Sequence, residues 1–173
     1  MPPYSSKILW LAPLGQTVYE SLNPYWFYCA ASRRTPDQIA LFHSIDMEDQ
    51  NSKTVKAFSI VSGQYSGDAQ LDIKCISFDD EDVHAFSGKV RSVFQEAAER
   101  GMKLIIDISP TTWSFVPVYL MEMAREHRQS VENVIYFQYS DHQSRHMPYA
   151  LIPRLGITFH DLLREFNSSD DAN

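Results

Sequence analysis

The sequence predicts a single α/β domain of the Rossmann-like type, with a mostly parallel sheet flanked by helices on both faces. Two observations support this fold class. Short apolar runs alternate repeatedly with stretches whose apolar residues recur at helical spacing, which is the pattern of parallel strands joined by crossover helices. The chain has 173 residues and a hydrophobic fraction of 44%, so it is long enough for one domain with a sizeable core and short for two.

The sequence of the first half of the chain predicts two strand–helix pairs. Residues 7–13 form an apolar run that ends in a Pro-Leu-Gly turn, which suits a buried strand. Residues 17–33 carry apolar side chains at helical spacing, and Pro24 allows a kink in that helix. A second strand follows over residues 38–45, and then a helix over residues 53–63 that we expect to end at its glycine.

The second half continues the alternation and then becomes less regular. Residues 71–78 show β-alternation, and the acidic run after them leads into a helix that Gly101 should end. The further predicted elements are a helix over residues 83–100, a strand over 102–109, a helix that reaches residue 127, a strand over 133–140, an edge strand over 149–155 and a short helix over 158–166. We assign residues 1–166 to one domain and expect residues 167–173 to be a disordered tail.

The charge balance limits the classes of partner. The net charge is −7 and the pI about 5.3, which argues against binding DNA or RNA duplexes, or anionic membranes, through diffuse positive charge. A small anionic ligand held by backbone N–H groups at a helix terminus needs no net charge and stays open. Neither a signal peptide nor a membrane segment is visible. We therefore expect a cytoplasmic protein in which Cys29 and Cys75 are reduced core residues.

The loop after the first predicted strand is a candidate ligand site. In open α/β sheets, ligands bind outside the carboxyl ends of the strands, where the strand order reverses. This loop holds a single glycine, Gly15, and matches neither the dinucleotide-binding nor the Walker A pattern. Thr17 is placed to cap the helix that follows. Capping and anion binding are compatible, because both use the same helix terminus.

The loop after the fourth predicted strand is richer in polar groups. It runs from Ser109 to Trp113 if Ser114 is the N-cap of the next helix, because Pro117 then falls in the first turn, where no intrahelical N–H is lost. The hydroxyls and free amides of this loop suit phosphate or ribose, and the indole of Trp113 suits an adenine ring. The alternative is a threonine-rich turn with Trp113 packed into the core or a subunit interface.

Two other clusters carry weaker signals. His142 and His146 are four residues apart in a loop-like stretch with no third ligand nearby in sequence, so we predict no metal site there. Asp79–Asp82 is most simply an acidic helix start that the helix dipole favours. We therefore predict neither a metal nor a cofactor.

Three segments carry a resemblance to a known family. The first strand and turn, "ILWLAPLGQTVYESL", resembles the opening motif of CRISPR-associated Rossmann fold (CARF) domains, which sense cyclic oligoadenylate in type III CRISPR antiviral signalling. "LIIDISPTTWSFVPVYLMEMA" is similar to their second motif, in which an apolar strand ends in Asp-hydrophobe-Thr/Ser, passes through a small-residue turn and enters a helix. "VENVIYFQYSD" matches the strand that usually follows, so the resemblance covers nearly the whole chain.

The resemblance implies a homodimer whose paired loops form a groove for a ring of adenylates, with cyclic tetra-adenylate as the first choice and cyclic hexa-adenylate as the second. A symmetric ring fits a two-fold interface, because each subunit presents the same loops. By position, the residues implied to contact the ligand are Gly15, Gln16, Thr17, Ser109, Pro110, Thr111, Thr112 and Trp113. Four arginines that the sequence does not place are candidates to neutralise the ring phosphates: Arg33, Arg34, Arg145 and Arg154.

The second turn departs from the family pattern, and this departure distinguishes a sensor from a ring nuclease. The second turn of the family often carries a lysine or arginine, and that lysine is among the residues associated with ring cleavage, whereas this chain has Pro-Thr-Thr-Trp. We therefore predict a sensor that binds cyclic oligoadenylate. The alternative is a metal-independent ring nuclease in which Thr17, Ser109 and Thr112 position the ribose. No strong general base for that reaction is evident in the sequence.

The resemblance also raises the question of whether an effector domain acts together with this domain. Most family members carry an effector domain after the sensory domain, and this chain ends soon after its last predicted helix. We expect a stand-alone sensor or degrader, or a sensory domain separated from its effector or membrane segment. A scaffold that works through protein partners, with no affinity for adenylates, is the third reading.

Overall fold

The computed structural model describes residues 6–66, 71–110, 113 and 115–163. These residues form a six-stranded sheet with two helices on each face. In chain order the elements are β1 (Ile8–Pro13), α1 (Val18–Ser32), β2 (Gln38–Ser44), α2 (Glu48–Ser66), β3 (Asp72–Phe78), α3 (Val83–Glu99), β4 (Lys103–Asp107), α4 (Phe115–Glu126), β5 (Val131–Tyr139) and β6 (Ile157–Asp161). The predicted Rossmann-like fold class is thereby confirmed.

The strand order of the sheet is β3-β2-β1-β4-β5-β6. Neighbouring strands from β3 to β5 run parallel, whereas β6 pairs antiparallel with β5 at the edge. The chain leaves β1 towards β2 and β3, and it returns to the other side of β1 to form β4. The order therefore reverses between β1 and β4, and the crevice in which such sheets bind ligands lies at the carboxyl ends of these two strands.

The central strands are buried on both faces, which explains their nearly continuous apolar sequence. On one face, Trp10 of β1 meets Tyr25 of α1 edge-on, with 5.3 Å between the ring centroids. On the other face, Leu9 and Leu11 belong to the same apolar cluster as Phe86 of α3. Each large side chain buried in this way stabilises the fold by about 1.5–3 kcal/mol. This packing anchors the strand ends from which the candidate loops emerge.

Helix α1 begins and ends close to its predicted bounds. Thr17 is the N-cap: its hydroxyl accepts the N–H of Glu20, whose side chain reaches back to the N–H of Thr17 in a capping box. Pro24 lies within the helix. The helix ends at Ser32, and its C-cap Arg33 adopts the left-handed conformation with φ 53°. The N-terminus of α1 is thus set directly beside the loop after β1.

Helix α2 is longer than predicted. It begins at Glu48 and continues past Gly63 to Ser66, so the predicted end at Gly63 is wrong. Acidic side chains in its first turn interact favourably with the helix dipole. Phe58, fully buried against the sheet, contributes more than the cost of about 1 kcal/mol that an internal glycine carries.

The segment after β5 differs most from the prediction. Residues 149–155 include two 3₁₀ turns instead of the predicted edge strand, and β6 occupies residues 157–161, where we predicted a helix. The apolar residues of such a short segment fit either periodicity, and pairing with the open edge of β5 decides for a strand. Phe159 of β6 also stacks on Phe27 of α1, with 4.6 Å between the ring centroids. The predicted tail, and the end of the predicted helix, lie outside the described residues.

The exposure of the two cysteines tests the prediction that both are reduced core residues. Both cysteines are free, and Cys29 is buried as predicted. Cys75 is exposed, which contradicts its predicted core position, because β3 is an edge strand that is covered incompletely. Among the described helices, none has the length and apolar character needed to cross a bilayer.

Candidate functional site

The loop after β1 approaches α1 so closely that a side chain at position 15 has no room. A Cβ built on Gly15 would lie 2.6 Å from the Cβ of Glu20, which is shorter than any ordinary carbon–carbon contact. The Gly15 N–H donates to the buried hydroxyl of Ser21 at 2.7 Å. The loop is therefore held tightly against the first turn of α1, and glycine is required there.

The carboxylate of Glu20 occupies the amides that the sequence offered to an anion. Its Oε2 accepts the N–H of Gln16 at 2.8 Å and the N–H of Thr17 at 3.3 Å. The side chain of Gln16 is exposed, and the Thr17 hydroxyl donates to the carbonyl of Arg145 at 3.4 Å. An anionic ligand at these amides would replace the Glu20 carboxylate, which already supplies negative charge at the positive end of the helix dipole.

Strand β4 ends in a buried carboxyl that holds the start of the next loop. Oδ1 of Asp107 accepts the N–H of Ser109 at 2.8 Å and also its hydroxyl. The Ser109 hydroxyl in turn accepts the N–H of Phe137 on β5 at 2.8 Å. Burial raises the pKa of Asp107 to about 7, against the opposing effect of the hydrogen bonds from Ser109. Among the described residues, Oδ2 of Asp107 has no hydrogen-bond partner, which disfavours the charged carboxylate in this buried position.

Trp113 packs against the end of β3. Its indole N–H donates to Oδ2 of Asp80 at 2.8 Å, and its ring meets Phe78 edge-on, with 5.1 Å between centroids. These contacts tie the loop to the end of β3, as in the packing alternative that the sequence left open. Pro110 is buried. Thr111, Thr112 and Ser114 are outside the described residues, so the roles predicted for them stay predictions.

The connection between β5 and β6 covers the start of α1 and brings an arginine to the site. Asn23 of α1 holds this connection, because its side chain donates to the carbonyl of Met147 at 2.9 Å and accepts the N–H of Tyr149 at 2.8 Å. Next to this clamp is a pocket of about 100 Å³. Its lining comprises Glu20, Ser109, Tyr136, Phe137, Gln138, Tyr139 and Arg145. The pocket thus joins α1, the loop after β4 and the end of β5.

The pKa of the Tyr139 hydroxyl responds to the charged groups around this pocket. Burial raises the pKa of Tyr139, and a hydrogen bond from Asn23 lowers it. The charges of Asp107 and Glu20 raise this pKa further, whereas that of Arg145 lowers it. Tyr139 is therefore neutral at physiological pH. Arg145 is the cationic side chain of the lining and is half-buried.

The other candidate arginines lie elsewhere. Arg33 ends α1 at the amino side of the sheet, and the Arg34 guanidinium donates to the carbonyl of Ser6 at 2.8 Å on that same side. Arg154 is exposed in the 3₁₀ turn before β6. Of the four arginines, Arg145 alone lines the described pocket.

The two clusters with metal-ligating side chains have simpler explanations. In the described part of the chain, no group of three His, Cys, Asp or Glu residues is arranged to hold a metal ion. The rings of His142 and His146 lie 5.0 Å apart by their centroids. Asp82 is the N-cap of α3 and accepts the N–H of Ala85 at 2.8 Å, in agreement with an acidic helix start.

The structure thus brings together part of the predicted site and adds residues that sequence reasoning missed. Gly15, Gln16 and Thr17 lie beside Glu20, which shares the pocket with Ser109. Sequence reasoning assigned no role at the site to Glu20 or Tyr139. A glutamate three residues after a capping threonine is a recognisable capping box, so the sequence contained a signal for Glu20. Nothing local in the sequence marks Tyr139.

Comparison with known proteins supports the fold. No family model and no curated protein matches the chain. Its structure is similar to that of Enterococcus italicus Csm6 bound to cyclic hexa-2′-fluoro-hexa-dAMP, with a TM-score of 0.56 and 14% sequence identity over 79% of this chain and 35% of that chain. The chain therefore spans about a third of the length of that protein. At this level of identity the likeness is evidence for a shared fold.

Proposed function

We propose that this protein binds cyclic oligoadenylate at the carboxyl ends of β1, β4 and β5 and acts as a sensor in type III CRISPR antiviral signalling. One observation carries the proposal: the first turn of α1 and the loop after β4, both singled out by the sequence motifs, share a pocket with Arg145. The similarity of fold to a Csm6 structure that holds a cyclic hexanucleotide supports the same ligand class.

The groups in and around the pocket match the parts of such a ligand. Arg145 is a cation for a ring phosphate, and Ser109 and Thr17 are hydroxyls within reach of a ribose. The pocket is small, so one copy of it would take only a phosphate or a ribose of the ring, because pockets that hold larger groups are several times bigger. A ring of four or six units then needs more than one copy, which two subunits related by a two-fold axis would supply.

A homodimer is also supported by exposed apolar side chains at this end of the sheet. Ile45 follows β2, Val118 lies in the first turn of α4, and Leu151 and Leu155 belong to the connection before β6. Their exposed fractions are 60%, 64%, 65% and 97%, in that order. An isologous contact here would bury apolar surface and bring two pockets to the same groove.

The proposal is tested by native mass spectrometry with cyclic tetra-adenylate and cyclic hexa-adenylate. We expect a dimer that carries one ring, with the tetra-adenylate preferred. Arg145→Ala should weaken binding by about tenfold or more, because a charge-assisted hydrogen bond contributes ~1.5–3 kcal/mol. Arg91→Ala, at an exposed position of α3, is the matched control. Absence of any bound adenylate would reject the proposal in favour of a scaffold that works through protein partners.

A second candidate function is metal-independent opening of the ring. The observation that favours it is the hydrogen bond from Ser109 to the buried carboxyl of Asp107, because this pair supplies a proton acceptor that the sequence alone did not reveal. Such opening needs a ribose 2′-oxygen aligned with its own phosphate and no metal. Chromatography of the nucleotide after incubation with the protein separates intact from opened rings.

A further inference from the structure

The hydrogen bonds of Ser109 determine how it would meet a ligand. Its hydroxyl donates to Oδ1 of Asp107 and accepts the N–H of Phe137. A serine hydroxyl has one donor and two acceptor sites, so one acceptor site is left and no donor. Ser109 lines the pocket beside Arg145. A ligand group that contacts this oxygen must therefore donate, as a ribose hydroxyl does and an ionised phosphate oxygen does not.

Asp107 can accept a proton from the Ser109 hydroxyl, which donates a hydrogen bond to its Oδ1. The carboxyl is fully buried, and its Oδ2 has no hydrogen-bond partner among the residues that the structure describes. A buried carboxylate with one oxygen left unpaired gains from taking up a proton. Burial brings its pKa to about 7, and a general base is most effective when its pKa is near the working pH.

We propose that Asp107, acting through the Ser109 hydroxyl, accepts the proton of a ribose 2′-hydroxyl and so enables the protein to open its cyclic ligand. This inference rests on the proposed function, because it needs a cyclic oligoadenylate in the pocket. Ser109 touches the ribose in this arrangement. Asp107 acts through Ser109 and is a positioning residue.

The step conserves atoms and electrons. The 2′-hydroxyl proton passes to Oγ of Ser109 while the Ser109 proton passes to Oδ1 of Asp107. The 2′-oxygen forms a bond to the adjacent phosphorus, and the bond from phosphorus to the 5′-oxygen breaks. The 5′-oxygen takes a proton from solvent water, and Asp107 later returns its proton to the hydroxide that remains. The product is a linear oligoadenylate with a 2′,3′-cyclic phosphate and a 5′-hydroxyl, and it has the same mass as the ring.

Other charged and titratable groups stand around this pair. Burial raises the pKa of Tyr139 on β5, and the charge of Asp107 raises it further. Tyr139 therefore stays neutral. Glu20 on α1 and Arg145 in the connection after β5 also act on Tyr139, with opposite signs. These two line the same pocket as Ser109, so their opposite charges partly offset each other there.

The test separates binding from ring opening. Single-turnover opening of cyclic tetra-adenylate and cyclic hexa-adenylate is followed by chromatography, since the mass does not change. Affinity is measured with 2′-fluoro rings, which lack the reacting hydroxyl. Asp107→Asn keeps an oxygen that accepts both hydrogen bonds from Ser109, so affinity should stay within about threefold while the rate falls by about a hundredfold or more. Asp72→Asn, on an exposed residue at the amino end of β3, should change neither.

Two further measurements exclude a merely structural role. In the wild type, the rate should rise about tenfold per pH unit below pH ~7 and then level off, because only the ionised carboxyl accepts a proton. In Asp107→Asn this inflection should be absent. Ser109→Ala should lose the reaction to a similar extent.

Each failure points to a different claim. A wild type that binds the ring and leaves it intact for hours overturns this inference and leaves the sensor function standing. Opening that proceeds equally fast in Asp107→Asn also overturns it, although the protein would then be a ring nuclease by another route. A wild type that binds neither ring overturns the proposed function and this inference with it.

Discussion

At the scale of single residues, Asp107 links the stability of the fold to pH. Burial raises its pKa from 3.8 to about 7 in the folded protein, so the folded state holds this proton more tightly than the unfolded state does. The stabilisation is fully present below pH ~4 and is lost as the pH rises to about 7. A difference of this size corresponds to ~4 kcal/mol as an upper bound.

We predict that Asp107→Asn removes this dependence. The amide cannot ionise, so the variant should gain stability relative to wild type as the pH rises from 5 to 8, by about 2–3 kcal/mol. Chemical denaturation of both proteins at the two pH values measures it, and the comparison cancels all other titrating groups. A difference that is the same at pH 5 and pH 8 would contradict a raised pKa.

Gly15 offers a second test at this scale. Gly15→Ala forces a Cβ to within 2.6 Å of the Cβ of Glu20, so the loop or the first turn of α1 must shift. We expect a loss of about 1–3 kcal/mol in the free energy of unfolding. Gly63→Ala is the matched control, because a Cβ there meets nothing within 4 Å. At this helical position it should stabilise by about 0.5–1 kcal/mol; equal effects of the two variants would refute the close approach.

At the scale of elements, the caps and the central strands were predictable, and the connection after β5 was not. The N-cap at Thr17 and the end of α3 near Gly101 depend on residues within one turn of each other. The prediction failed for β6, because residues 157–161 become a strand only through pairing with β5. The predicted length of α2 was also wrong, because the helix continues past Gly63 and tertiary packing offsets the cost of that internal glycine.

The clamp between α1 and the connection after β5 gives a prediction for these elements. Asn23→Ala removes hydrogen bonds to Met147, Tyr149 and Tyr139, which should cost about 2–4 kcal/mol. It should also loosen the segment that carries Arg145 and thereby weaken ligand binding. Hydrogen exchange should accelerate at amides 142–156 while the β4 amides keep their protection.

A suitable control for the clamp lies on another helix. Ser59→Ala removes an exposed hydroxyl whose hydrogen bond lies within α2, to the carbonyl of Val55. It should leave the connection after β5 unaffected. Protection of amides 142–156 that is equal in wild type and Asn23→Ala would show that Asn23 does not hold the connection.

At the scale of the whole molecule, the proposed ligand is a polyanion and the chain is acidic, so binding would need positive charge concentrated at the site. The net charge is −7, and Arg145 is the cation that lines the pocket of one subunit. The proposed two-fold dimer would bring two Arg145 side chains, each in a pocket that Glu20 also lines, to one symmetric groove. Two subunits that each carry a net charge of −7 repel each other, so the proposed dimer depends on its apolar contact.

We predict that Leu155→Asp yields a monomer. Leu155 is 97% exposed, so the substitution should leave the fold of one subunit intact and place a charge in the proposed contact. Light scattering after size exclusion should show the change in mass, and thermal unfolding of the monomer should verify its fold. Ile60→Asp, at a 67% exposed position on α2, should stay dimeric. A Leu155→Asp protein that remains a dimer would place the interface elsewhere.

The sequence by itself determined the alternation of strands and helices, the caps of α1 and α3, and the two loops at the reversal of strand order. Those features depend on periodicity and on side chains a few residues apart, so they can be read along the chain. Only the tertiary structure decided that Arg145 and Ser109 line one pocket, that Glu20 occupies the amides before α1, and that β6 is a strand. It also decided the raised pKa of Asp107. Pairing, burial and charge proximity depend on segments far apart in the chain, which no local pattern specifies.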